Sequence, residues 1–133
     1  MTNPSYNTPP QHLKNNNFDN LPKNVPILKK TIELYKIYYK YLELFPKKDK
    51  YNIGATCEKY IIEILEILLK AGYLSKQEKL PLIKNANNKF DTLKIFIRLL
   101  RELNIIDQKK YLILQTILQE IGRMFGGWIK SLS

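Results

Sequence analysis

The sequence is poor in the residues that metal and redox sites use. Its 133 residues include one cysteine, Cys57, and one histidine, His12. A single cysteine excludes an intramolecular disulfide and a cysteine-rich metal cluster, and it favours the reducing cytoplasm as the compartment. A single histidine excludes the paired Glu-x-x-His ligands of a ferritin-like di-iron bundle. We therefore predict no metal and no cofactor.

Catalytic motifs are also lacking. No histidine lies in the helical part of the chain to activate Cys57, so we expect a buried structural cysteine rather than a nucleophile. The pair Gly126 and Gly127 has neither the spacing of a phosphate-binding loop nor the Lys-Ser/Thr that follows one. The sequence therefore predicts a protein that is not an enzyme.

Long hydrophobic runs are missing as well. The longest apolar runs have three to four residues, whereas a membrane span needs roughly 20. The N-terminus lacks the basic and apolar regions of a secretory signal, so we expect none. These features predict a cytoplasmic protein without a membrane partner.

Charge, in contrast, is plentiful and of one sign. The chain has 22 Lys and Arg against 12 Asp and Glu, a net charge of +10. A field of this sign attracts nucleic acids, acidic proteins and anionic membrane surfaces alike. A length of this order suits one domain with one core.

The N-terminal 26 residues differ from the rest. They hold five of the seven prolines and seven asparagines, with few apolar residues. Such a segment cannot bury enough surface to offset the entropy of ordering it, and we predict a flexible tail over residues 1–26. Only Lys14, Lys23 and Asp19 are charged there, so the basic excess belongs to the domain predicted over residues 27–133.

That domain has helical periodicity throughout. Gly72 resembles a left-handed C-terminal cap, Ser75 with Glu78 a capping box, and Asp107 an N-cap. The predicted helices cover residues 27–44, 46 or 53 to 72, 75–103 and 107–132. Short linkers make successive helices antiparallel. The predicted fold is all-α: an antiparallel up-and-down four-helix bundle with a flexible N-terminal tail.

The predicted second helix is apolar on almost every side, since between Tyr60 and Leu69 only Glu63 and Glu66 are polar. A helix of a small monomeric bundle normally leaves a broad polar face in water. We therefore expect self-association, with Tyr60, Ile64 and Leu68 in the interface. The alternative is that long Tyr and Lys side chains and the tail cover the excess.

Three glycines lie inside the last helix, and each costs up to about 1 kcal/mol relative to alanine. They are Gly122, Gly126 and Gly127, followed by Trp128. One interpretation is that they let another helix approach closely while Trp128 fills a pocket, which places all four residues in the oligomer interface. The other is that Gly126 and Gly127 end the helix and Trp128 packs on the core.

Basic residues cluster on the last two helices. Rows of this kind can follow a phosphate backbone, and arginine offers phosphate a planar fork. The sequence has no zinc finger, helix-turn-helix or aromatic RNP motif, so it predicts electrostatic binding without base readout. The alternative is a solvated surface. The candidate binding residues are Lys84, Lys94, Arg98 and Arg101 on the third helix and Arg123 and Lys130 on the fourth.

Three segments resemble one known family. They are Phe45-Pro46-Lys47 leading to Tyr51 and Gly54, Arg98-Leu-Leu before a short turn, and the run EIGRMFGGWIK over residues 120–130. The chain is similar here to the accessory variability determinant proteins of diversity-generating retroelements. It also resembles the wider four-helix-bundle group that includes proteins encoded in intervening sequences of 23S ribosomal RNA genes. Those relatives carry an Asn-Ile-Ala-Glu-Gly type run where this chain has Leu-Lys-Ala-Gly-Tyr, which favours the retroelement branch.

The resemblance implies a non-enzymatic, basic homopentamer that binds RNA and DNA and associates with the retroelement reverse transcriptase in mutagenic cDNA synthesis. Arg98 and Arg123 match recurring family positions, so the resemblance makes them the first choices for contacts with nucleic acid or the transcriptase. Two alternatives are a helical module that binds an acidic protein and an intervening-sequence-type protein of unassigned role. A membrane-surface role is weaker because the bundle itself uses the apolar faces.

Overall fold

The computed structural model describes residues 25–133, and these form five helices without a strand. The predicted tail lies outside the described residues except for Val25 and Pro26, which already belong to the first helix. The helices are α1 Val25–Leu42, α2 Lys47–Lys50, α3 Ile53–Ala71, α4 Lys76–Glu102 and α5 Gln108–Leu132. The four long helices confirm the predicted bundle.

The four long helices form a closed square in which α1 packs on α3 and α5, and α4 packs on the same two helices. The connections are short, so successive helices run antiparallel. One apolar core fills the interior, and most of its side chains are less than 2% exposed. α5 supplies Leu114, Leu118, Ile121 and Phe125, among others, to this core. The arrangement leaves surface grooves between α4 and α5 and between α1 and α5.

The corner between α1 and α3 is tightly packed and contains a short helix. α1 ends at Leu42, and Pro46 opens the separate short helix α2 by accepting backbone hydrogen bonds from Asp49 and Lys50, both 2.9 Å long. Gly54 then packs so closely that an added Cβ would lie 2.7 Å from Leu42 Cδ1 and 2.9 Å from the Asp49 carbonyl oxygen. The second long helix therefore begins at Ile53, the later of its two predicted starts, and the residues after Pro46 form a separate short helix.

The helix ends confirm two predicted caps and correct a third. Ser75 and Glu78 form the reciprocal capping box, and Asp107 accepts a 2.8 Å hydrogen bond from the Lys110 amide. Gly72, however, has a right-handed φ of −58°, because its amide continues the helical pattern to Leu68.

The left-handed residue of the described chain is Asn104, with φ of 61°. It ends α4 in a Schellman motif, in which Ile105 donates to the Leu100 carbonyl over 2.8 Å and Asn104 donates to the Arg101 carbonyl over 3.0 Å. Asparagine tolerates this conformation better than most residues do. The motif sets the reversal of the chain into α5, and with it the groove between α4 and α5.

Candidate nucleic-acid interface

A groove of about 760 Å³ runs between α4 and α5. We call it the α4–α5 groove. One wall comes from α4 and the other from α5, and the two helices contribute basic, amide, aromatic and aliphatic side chains. Its lining residues are Asp91, Lys94, Ile95 and Arg98 of α4 and Tyr111, Gln115, Leu118, Gln119, Gly122 and Arg123 of α5.

The groove is positively charged because Lys94, Arg98 and Arg123 face a single carboxylate, Asp91. Asp91 pairs with Lys94 over 3.2 Å, and the Lys94 ammonium also lies 5.2 Å from the centre of the Phe90 ring. Lys94 is therefore partly neutralised by its own helix. The two arginines supply the remaining charge.

Arg98 is exposed and makes no hydrogen bond or ion pair with another residue of the described chain. Arg123 is also exposed, and its nearest acidic neighbour along the helix is Glu120. The Glu120 carboxylate is held by Lys30 of α1 at 2.8 Å. This contact, together with a weaker attraction from Arg123, lowers the pKa of Glu120. Within residues 25–133, both guanidinium groups are thus left without a hydrogen-bonded acid.

The other three predicted binding residues lie outside the groove. Arg101 is used in the turn after α4, where its Nε donates to Gln108 Oε1 over 2.9 Å and one Nη donates to Asn104 Oδ1 over 3.2 Å. Lys84 and Lys130 are exposed, toward the end of the bundle where α4 begins and α5 ends. The structure therefore brings together Lys94, Arg98 and Arg123 and separates them from the rest.

A family model described as bAvd-like matches residues 25–132. The chain belongs to the bAvd-like family. The match includes all five helices and both walls of the α4–α5 groove, so the feature described above lies within the family's own domain. No match was found among curated proteins.

The sequence alone did not single out the groove floor of this bAvd-like chain. Gln115, Gln119 and Gly122 follow one flank of α5 at spacings of four and three, beside the buried Leu118. That spacing is the feature of the sequence that indicates a groove, since these polar residues and the glycine interrupt an otherwise apolar flank of the helix. It does not say which neighbouring helix the flank faces.

Two residues of the predicted oligomer interface lie in the core instead. Ile64 is 1% exposed and Leu68 is fully buried, because both point from α3 into the bundle. A second copy could not contact them without opening the fold, so these two assignments are wrong. Tyr60 is half-buried on the flank of α3 toward α4, where its ring centre lies 5.7 Å from that of Phe96.

The apolar side chains of α3 and α1 that do face solvent are different ones. Ile62 and Leu69 are exposed on α3, and Tyr39 is exposed on α1. Periodicity predicts an excess of apolar residues on α3, and Ile62 and Leu69 are the exposed residues of that excess. It could not separate them from Ile64 and Leu68, since the helix is apolar on both sides.

The glycine pair of α5 lies within the helix rather than at its end. α5 continues to Leu132, so the interpretation that Gly126 and Gly127 end it is wrong. A Cβ added at either position would meet nothing within 4 Å. Packing inside the chain therefore does not require glycine there. Gly127 and the half-buried Trp128 line a smaller pocket of about 300 Å³ beside Pro26 of α1.

Cys57 is fully buried, as predicted. Burial raises the pKa of its thiol to about 11, although the nearby Tyr38 hydroxyl opposes that shift. The thiol is therefore protonated and enclosed at neutral pH. His12 lies outside the described residues. Among the described residues, no helix is both long enough and apolar enough to cross a membrane.

Proposed function

We propose that this protein is a non-enzymatic, nucleic-acid-binding accessory subunit of a diversity-generating retroelement. It associates with the reverse transcriptase and the template RNA in the cytoplasm and supports mutagenic cDNA synthesis. Membership of the bAvd-like family supports the part of this proposal that assigns the protein to a diversity-generating retroelement. The observation that carries the binding role is the α4–α5 groove with its two unpaired arginines.

The electrostatics favour a phosphate ligand. Outside the N-terminal 24 residues the chain has 20 basic and 11 acidic side chains. Arg98 and Arg123 can each offer a phosphate two parallel N–H donors, and every phosphate that they neutralise releases counterions from RNA or DNA. The protein would hold and position the nucleic acid for the polymerase without making or breaking bonds itself.

Self-association is the second part of the proposal, and we take a homopentamer as the assembly. Gly127 and Trp128 line a pocket beside α1, and the Trp128 ring also lies 5.9 Å from Lys79 of α4, whereas Tyr60 lies on the flank of α3. An interface that joins two different surfaces is heterologous, and it forms a ring when its rotation closes, while a two-fold dimer uses one surface twice. Open space above Gly126 and Gly127 permits the close approach that such a ring needs.

The binding role is tested by titrating labelled RNA with the full chain over a salt series. Phosphate contacts predict a steep fall in affinity as salt rises. The double variant Arg98→Gln with Arg123→Gln should bind more weakly and reduce the slope of log K against log salt by about two. The matched control is Lys59→Gln with Lys70→Gln, which removes the same charge from the exposed side of α3.

Several results would contradict the proposed binding role. No RNA binding at low salt, or a flat salt response, would contradict the proposed role. Equal losses in the groove variant and the α3 variant would show that net charge, and not the groove, attracts the RNA.

Mass measurement before and after nuclease treatment tests the assembly, because a clean monomer would contradict the ring.

The competing function is a helical module that binds an acidic protein. Unpaired arginines bind carboxylates as well as phosphates, so the groove charge is compatible with it. Co-purification separates the two. Recovery of RNA with the purified chain favours the proposed function, whereas a nucleic-acid-free complex with an acidic protein favours the alternative.

A further inference from the structure

The floor of the α4–α5 groove contains a glycine that the fold itself does not need. A Cβ built on Gly122 would lie 3.5 Å from Phe90 Cε2, an ordinary van der Waals distance. Alanine would therefore fit, and it would stabilise the helix. The glycine makes the α4–α5 groove deeper at this point, because without a side chain the helix backbone is accessible from the groove.

The side chains that line the groove between Gly122 and the start of α5 are suited to a flat, polar ring. Tyr111 is a half-buried aromatic residue in the groove wall, and Leu118, 1% exposed, lies between it and Gly122 along α5. The amides of Gln115 and Gln119 carry both donors and acceptors, and within residues 25–133 neither has a hydrogen-bonding partner. An aromatic surface with unused amides is the combination by which proteins bind unpaired bases.

The two free arginines lie near opposite ends of the groove. Phe90 packs against Gly122, so the helix neighbour of Gly122, Arg123, is nearly level with the start of the α4 wall. Arg98 follows Phe90 by eight residues, a rise of roughly 12 Å along α4. On antiparallel α5 this places Arg98 near the level of Tyr111 and Gln115, so its guanidinium can hold a phosphate next to a base on Tyr111. Arg123, at the other end of the groove, can hold a phosphate farther along the same strand.

A duplex cannot use this site in the same way. Its bases are paired and stacked inside, so it can offer the groove only its backbone. A groove of about 760 Å³ can take up a single ring, whereas a double helix can only lie across its rim.

We propose that the α4–α5 groove binds an unpaired nucleotide of single-stranded RNA. In this arrangement the base stacks on Tyr111, its edge bonds to the Gln115 amide, and Arg98 binds the adjacent phosphate. Gln119 and Arg123 then contact the next nucleotide and its phosphate along the groove. The inference rests on the proposed function and names its ligand class, a single strand rather than a duplex.

The test compares two probes on the full chain at one salt concentration: a labelled 12-nucleotide RNA without self-complementarity, and the same RNA annealed to its complement. Phosphate attraction alone predicts tighter binding of the duplex, which has the higher charge density. Unpaired-base binding predicts the reverse order, with the single strand at least fivefold tighter.

Variants locate the effect. Tyr111→Leu keeps an apolar side chain but removes the ring, and it should weaken single-strand binding at least fivefold while changing duplex binding less than twofold. Gln115→Ala with Gln119→Ala should act in the same direction, and helix propensity favours both changes. The matched control is Tyr39→Leu on α1, an exposed tyrosine far from the groove, which should change neither affinity.

Each contrary result has a distinct meaning. If the duplex binds as tightly as the single strand and Tyr111→Leu has no effect, the unpaired-base site is wrong while the proposed RNA binding stands. If a polyglutamate peptide displaces the single strand and its own binding depends on Tyr111, the groove is a protein site and this inference is wrong. Absence of binding to both RNA probes at low salt overturns the proposed function as well.

Discussion

The hydroxyl of Tyr38 donates a 2.7 Å hydrogen bond to the carbonyl oxygen of Gly54 and ties α1 to the first turn of α3. Both residues are buried, and burial raises the pKa of Tyr38 far above its ordinary value, so the hydroxyl remains a donor at any pH at which the protein folds. The tight α1–α3 corner depends on this contact.

Replacing Tyr38 with phenylalanine should therefore destabilise the bundle by about 1–2 kcal/mol, because a buried carbonyl loses its partner while the ring packing remains. Urea unfolding followed by circular dichroism measures the change. Tyr39→Phe, on the exposed neighbour, is the control and should shift stability by less than about 0.5 kcal/mol. Equal shifts in the two variants would contradict the role of the Tyr38 bond.

Two glycine-to-alanine changes should have opposite signs. At Gly54 the added methyl would clash with Leu42 and with the Asp49 carbonyl, and overpacking of this kind costs about 1–3 kcal/mol. At Gly127 it meets open space, so Gly127→Ala should stabilise the isolated bundle by up to about 1 kcal/mol. Thermal unfolding at low protein concentration compares them. Destabilisation by Gly127→Ala would mean that this position already packs closely against another chain.

Sequence periodicity was sufficient for the fold but not for the placement of the site. The spacing of apolar residues and the caps at Ser75 and Asp107 fixed where α4 and α5 begin, because these are local signals. The left-handed cap was assigned to Gly72, although Asn104 is the residue that takes the left-handed conformation. Glycine and asparagine can both adopt the left-handed conformation, and the hydrogen bonds around each residue determine which of the two adopts it.

The same limit applies to the candidate site. Arg98 and Arg123 are 25 positions apart on different helices, so no local pattern shows that they line one groove. Lys84 and Arg101 share a helix with Arg98, and their charge looks equivalent in sequence. Only the packing of α4 on α5 separates a groove arginine from one used in a turn.

The ion pair between Lys30 of α1 and Glu120 of α5 should make stability depend on pH in the acid range. Its contact at 2.8 Å lowers the pKa of Glu120 and raises the pKa of Lys30. A lowered carboxyl pKa stabilises the fold at neutral pH, and that contribution is lost as the pH falls through the acid range. The stabilisation that comes from the raised pKa of Lys30 is lost only when the pH rises above the ordinary lysine range, so it does not change between pH 7 and pH 3.

Glu120→Gln should therefore lose less stability than the wild type between pH 7 and pH 3. Denaturant midpoints at the two pH values measure this difference, and high salt should shrink it because the pair is accessible to solvent. Glu66→Gln, an exposed carboxylate of α3, is the matched control. An identical acid dependence in the wild type and Glu120→Gln would show that the pair contributes nothing to stability.

The buried thiol of Cys57 should be almost unreactive in the folded protein. With a pKa of about 11, its thiolate fraction at pH 8 is roughly a hundredfold below that of an ordinary cysteine, and burial blocks access as well. We expect a disulfide reagent to label Cys57 at least a hundred times more slowly in buffer than in denaturant. The ratio of the two rates then reports how often the core opens around α3. Rapid labelling of the native protein would instead place an accessible, activated thiol in the bundle. That result would remove the main chemical argument against catalysis.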